Sequence, residues 1–133
     1  MHAHDMIRTH PNVQGQPNDA LIRCIEACFD CAQVCTSCAD ACLGEEQVQQ
    51  LRQCIRLDLD CADACVATGS IATRRTGSNE HLLRQMLDVC AQACRICAEE
   101  CAKHAQSHEH CKVCVDACRD CEQACRSAMG TIH

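Results

Sequence analysis

Six cysteines, Cys24, Cys28, Cys31, Cys35, Cys38 and Cys42, follow one another in steps of 4, 3, 4, 3 and 4. Such steps return a side chain to one face of an α-helix, the a and d positions of a heptad. A strand needs steps of two. A zinc or iron–sulfur loop needs turn residues between its ligands, and no Gly or Pro lies between Cys24 and Cys42. The spacing predicts a long helix whose inner seam, where Leu and Ile ordinarily sit, is made of thiols.

That helix is expected to begin at Asn18 or Asp19, good capping residues just after Pro17, and to stop at Leu43 before Gly44. The pattern then recurs. A second helix, expected from Glu45 to about Ala72, has the inner row Leu51, Cys54, Asp58, Cys61, Cys65, Thr68 and Ala72, with Asp58 where a cysteine is due. A third, from Ser78 or Asn79 to about Ala105, has Leu83, Leu87, Cys90, Cys94, Cys97, Cys101 and His104. A fourth, from His108 to about Met129, has Cys111, Cys114, Cys118, Cys121, Cys125 and Ala128. Two short connections and one longer turn at 74–78 make neighbours antiparallel. The predicted fold class is all-α: an antiparallel up-down-up-down four-helix bundle with a Cys-lined core, spanning 18–130. Residues 1–17 carry both prolines and His2, His4 and His10, and read as a flexible N-terminal arm.

Composition supports placing the cysteines inside. Leu, Ile, Val, Met and Phe number 27 of 133 residues, about as few as in a disordered chain. A core exists only if the 18 cysteines fill it, and free Cys packs as a small hydrophobe. Disulfides within a row are excluded by geometry. Helix neighbours have Cβ atoms about 5–6 Å apart, against the ~3.5–4.5 Å of a disulfide. A second apolar stripe includes Ile22, Phe29, Leu59 and Ile96, which look surplus to a cysteine-filled core and are expected to form a homo-oligomer interface.

The net charge of −6, with no basic block, argues against nucleic acid and anionic membrane as partners. No run suits a transmembrane helix, and the N-terminus has no export signal, so the expected compartment is the cytoplasm, where thiols stay reduced.

Thiolate, not thiol, binds metal, and burying many unpaired thiolates is prohibitive. A core of thiols is tolerable if every proton stays, or if each departing proton is replaced by a soft monovalent cation. Cu(I) meets the second condition, because soft thiolates select it and it needs few ligands. Zn(II) takes four ligands per ion, so the 18 cysteines would hold four or five zinc ions with excess negative charge. A Zn/Cd thiolate buffer is the runner-up. Iron–sulfur electron transfer fails on spacing, since those runs lie in loops. A thiol redox enzyme needs one exposed activated thiol rather than many equivalent buried ones.

The four rows resemble those of the bacterial cytosolic copper storage proteins. The resemblance spans roughly residues 19–129. It implies a bundle that assembles into a tetramer, binds many Cu(I) ions, about one per Cys, and acts as a copper store or buffer rather than an enzyme. Copper ions, and a copper chaperone as their donor, are the partners implied.

Besides the cysteines, Asp58, His104, His108 and His110 are candidate metal ligands. Asp58 reads either as a ligand or as a buried polar group hydrogen-bonded nearby. His104 continues the third row, or caps a helix C-terminus. One end of the bundle gathers Cys38, Cys42, Cys101, His104, His108 and Cys111; the other gathers Leu21, Leu83, Leu87 and Ala128. Copper is expected to enter at the histidine end. The helices are expected to form without metal, because protonated thiols already supply a core.

Overall fold

The computed structural model describes residues 1–133. Its helices are α1 (Ala3–Arg8), α2 (Asp19–Leu43), α3 (Arg52–Thr73), α4 (Glu80–Ala102) and α5 (Glu109–Met129), and a single 3-10 turn, Val48–Leu51, leads into α3. Helix α2 packs on α3 and α5, and α4 packs on the same two. The four long helices therefore close a square with antiparallel neighbours, the up-down-up-down bundle. Every cysteine, leucine and alanine assigned to the inner rows is buried, with Asp58 and Thr68. His104 is half-buried, on the turn after α4.

Local chemistry sets the helix ends. The Asn18 side chain accepts from the Leu21 backbone N–H at 3.1 Å, which caps α2. Its amide also donates to Thr131 Oγ1 at 2.9 Å, tying this cap to the C-terminal tail. Gly44 ends α2 with φ −83°, so no left-handed conformation is used there. Gly77, at φ +72°, does use one, in the turn between α3 and α4. Gly69 serves a different need: a Cβ there would lie 3.0 Å from the Phe29 ring and 3.3 Å from Cys28 Cβ. Its missing side chain lets α2 and α3 approach closely.

Three boundaries differ from the sequence expectation. Helix α3 begins at Arg52 rather than Glu45. The chain must cross from one helix axis to the next, about 8–10 Å away, before Leu51 and Cys54 can face inward. Helix α4 ends at Ala102 rather than Ala105, and α5 starts at Glu109 with His108 as its cap residue. Residues 103–107 then make a turn wide enough to carry the chain back.

The N-terminal segment contributes to the core. Helix α1 packs on α2, and Ile7 is buried in the same apolar cluster as Ile22 and Leu21. At the far terminus Ile132 is buried too, held by Arg84, which donates to the Ile132 carbonyl at 2.6 Å and to that of Met129 at 3.2 Å. Ile7 and Ile132 thus join Leu21, Leu83, Leu87 and Ala128 in sealing one end.

The outer apolar stripe divides in two. Ile22 is covered within the monomer and Phe29 is half-buried, so neither is surplus. Leu59, Val66, Val89 and Ile96 remain 41–53% exposed along α3 and α4. No helix is long and apolar enough to cross a membrane.

Candidate metal centre

All eighteen thiols are free, and none is more than 2% exposed. Because each row is a helix seam, its sulfurs meet those of the facing seams at every level. At the sealed end Cys24 lies 3.6 Å from Cys125, and Cys28 lies 3.9 Å from Cys90 across the diagonal. In the middle Cys61 is 3.7 Å from Cys94 and Cys35 is 3.6 Å from Cys118. Towards the other end Cys54 is 3.3 Å from Cys101 and Cys38 is 4.0 Å from Cys111.

These spacings suit shared metal ions. With a metal–sulfur bond of about 2.3 Å, two sulfurs on one ion stand ~3.8 Å apart in a tetrahedron, ~4.0 Å in a triangle and ~4.6 Å in a line. Several sets of four sulfurs lie within 4.8 Å of one another, among them Cys28, Cys90, Cys121 and Cys125 at one end and Cys38, Cys42, Cys54 and Cys111 at the other. Cys31, Cys35, Cys118 and Cys121 recur in more than one set, so the sites run together along the axis. A chain of overlapping sites favours ions that share sulfurs. Charge then selects among them: one Cu(I) per lost proton leaves the core's charge unchanged, whereas a zinc ion held by four thiolates leaves an excess of two negative charges.

Asp58 sits inside this array. Its Oδ1 accepts from the thiols of Cys97 at 3.0 Å, Cys114 at 3.2 Å and Cys101 at 3.4 Å, and its Oδ2 from Cys54 at 3.9 Å. Burial, reinforced by the nearby Cys114 sulfur, pushes its carboxyl up to about 8. Asp58 is thus a buried polar group hydrogen-bonded nearby, and its oxygens lie among the sulfurs. Burial also raises the thiols nearest this end, Cys111 to about 11 and Cys42 further. Such thiols keep their protons at neutral pH until a metal displaces them.

The three histidines differ in what they touch. His104 Nε2 pairs with Glu100 Oε2 at 3.0 Å and contacts no sulfur. His108 Nδ1 pairs with Glu45 Oε2 at 2.6 Å. His110 alone reaches the thiols: its Nδ1 is 3.4 Å from Cys38 Sγ and 3.7 Å from Cys111 Sγ, and its Nε2 is 2.9 Å from Glu45 Oε2. The hydrogen bond from His110, aided by the charge of His108, holds the Glu45 carboxyl below its usual value. Sequence reasoning missed Glu45 and Glu100. Neither lies in a cysteine row, and nothing near Glu45 in the chain signals that it meets residues 108 and 110 across the bundle end.

A thiol tube of this kind has known counterparts. The family profile described as Csp, copper storage protein, matches residues 17–130. The copper storage protein Ccsp from Streptomyces lividans, solved with 10 copper equivalents loaded, is 50% identical with a TM-score of 0.92, covering 96% of this chain and 98% of that one. The Cu(I)-bound copper storage protein BsCsp3 is 39% identical with a TM-score of 0.68, covering 78% of this chain and 92% of that one. An uncharacterized cysteine-rich protein of Bacillus subtilis, YhjQ, is 39% identical over 89 residues, 67% of this chain and 77% of its own. Cysteine rows at helical spacing, a shared bundle and a profile match that takes in every row lead to one conclusion: the chain belongs to the copper storage protein family.

Proposed function

We propose that this protein stores and buffers copper in the cytoplasm, holding many Cu(I) ions as thiolates inside the bundle, about one per cysteine. The observation that carries the reading is the continuous column of eighteen buried sulfurs with overlapping four-sulfur sets. No comparison favours the Zn/Cd buffer, and the charge argument disfavours it. A relative from Streptomyces lividans is described as cytosolic, which supports the compartment. The reading is of a store that loads and unloads its cargo, with no reaction turned over.

Anaerobic titration of the reduced protein with Cu(I) against a competing chelator tests it. Saturation well above ten equivalents is expected; saturation at four or five would restore the tetrahedral zinc-type arrangement.

We place the copper entrance at the histidine end, where Asp58, His110 and the least enclosed thiols cluster. Replacing both His104 and His108 with Phe is expected to slow loading, and unchanged rates would remove this route. Cys38, Cys42, Cys54, Cys111 and His110 are the ligands assigned to the first ions bound there. The other fourteen cysteines, Cys24, Cys28, Cys31, Cys35, Cys61, Cys65, Cys90, Cys94, Cys97, Cys101, Cys114, Cys118, Cys121 and Cys125, hold the rest.

The exposed Leu59, Val66, Val89 and Ile96 support self-association, with a homotetramer as the expected state. Light scattering of the apoprotein checks the mass. A copper chaperone is the expected donor.

A further inference from the structure

A cavity of about 410 Å³ opens at the sealed end of the bundle. No cysteine lines it, so copper storage does not account for it. It is bounded by the turn after α3, the first turn of α4 and His10 of the N-terminal arm. Ile71 and Leu83 give it an apolar part, and Arg74 and Arg75 bring two guanidinium groups. Its volume falls within the range of small-molecule pockets, about 300–1,000 Å³.

The donors around it outnumber their acceptors. The Arg75 side chain is only 19% exposed, yet its one hydrogen bond runs from Nε to the Arg74 carbonyl at 3.1 Å. The carboxylate beside it, Glu80, has its Oε1 3.9 Å from Arg75 Nη1, beyond hydrogen-bond reach. Arg74 is exposed and pairs with no carboxylate. His10 adds to the surplus. Its Nδ1 accepts the Asn12 backbone N–H at 3.0 Å, so in the neutral ring Nε2 carries the proton and donates to Thr76 Oγ1 at 3.3 Å. The Thr76 hydroxyl hydrogen is then free to donate elsewhere. Two guanidinium groups are set against one carboxylate, so the lining is rich in donors and positive in charge.

We propose that this cavity binds a phosphate group, as the inorganic ion or as a small phosphomonoester. The terminal nitrogens of Arg75 take two phosphate oxygens as a fork, Arg74 adds a second positive charge, and Thr76 donates its hydroxyl. In an ester the organic part lies on Ile71 and Leu83. No covalent step is involved. The bound anion links the arm, through His10 and Thr76, to the turn between α3 and α4. Its effect is therefore on the stability of the sealed end, and the thiol column is untouched.

Calorimetric titration of the reduced, metal-free full chain with inorganic phosphate tests this, at an ionic strength held constant with chloride. Saturable one-to-one binding is expected, with a matching rise in thermal midpoint. Arg75→Ala is expected to weaken the affinity about tenfold, the scale of one lost charge-assisted hydrogen bond. Arg75→Lys, which keeps the charge and loses the fork, is expected to recover only part of it. Arg74→Ala, at an exposed position, keeps the test readable should Arg75→Ala fail to fold, and is expected to weaken binding about threefold. A parallel titration with phenyl phosphate identifies the source: tighter binding than inorganic phosphate supports an ester seated on Ile71 and Leu83, and equal binding supports the free ion. Heats that never saturate, or an affinity unchanged by the arginine substitutions, overturn the site. Copper equivalents at saturation are expected to be the same with and without phosphate, and a change would show that the cavity is coupled to the thiols after all.

Discussion

The two ends of the bundle are built from different materials. The sealed end is apolar, with Leu21, Leu83 and Leu87 buried in one cluster with Ile7 of α1 and Ile132 of the tail. The histidine end holds a buried carboxyl group, that of Asp58, and a half-buried network of Glu45, His108 and His110 over the thiols. Capping follows the same division. Asn18 caps α2 at the sealed end, whereas His108, the cap residue of α5 at the other, makes no side-chain capping bond and points to Glu45. One end supplies stability that the cysteine column supplies weakly. The other gives up stabilising contacts to keep polar, metal-compatible groups near the surface.

The two ends are expected to differ most at Leu87. It is fully buried, so Leu87→Ala is expected to destabilise the apoprotein by about 2–5 kcal/mol, read from urea unfolding. Copper capacity is expected to stay as it was. A loss of capacity would mean that the sealed end also holds metal.

Asp58 sharpens the other end. Its carboxyl is raised from 3.8 to about 8, so between those values the folded state holds a proton that the unfolded state has lost. Its contribution is therefore full below about pH 4 and declines as pH rises towards 8. At one pH unit per about 1.4 kcal/mol, the decline from pH 5 to 8 is on the order of 2–4 kcal/mol. Asp58→Asn is expected to flatten this slope in the chelated, reduced protein and to raise stability at pH 8. An unchanged slope would show that Asp58 titrates normally.

The smallest contrast lies between the two caps. Asn18→Ala is expected to cost about 1 kcal/mol through the lost bond to the Leu21 N–H. His108→Ala is expected to change stability by about 0.5 kcal/mol or less, because it caps nothing and its ion pair is partly solvated. Thermal melts of the two variants check the pair, and equal losses would erase the distinction between the ends.

Much of this architecture is written in the spacing of the cysteines. The 3/4 steps placed the inner rows correctly, Asp58 and Thr68 included, since side-chain direction on a helix follows from residue spacing alone. The start of α3 and the end of α4 are not written there, because they depend on how far the chain travels between axes. Ile22 looked like an outer residue for want of any sign that α1 would form and pack on α2.

Periodicity along one chain segment therefore determined the helices, their inward faces and the chemistry of thiols packed in a column. Which sulfurs meet, which histidine turns towards them and which carboxylate bonds that histidine were decided only by packing. Those relations join residues such as Glu45 and His110, or Asp58 and Cys114, that are neighbours across helices and strangers in sequence. A helical repeat encodes direction from its own axis, and it carries no information about what arrives from the other three.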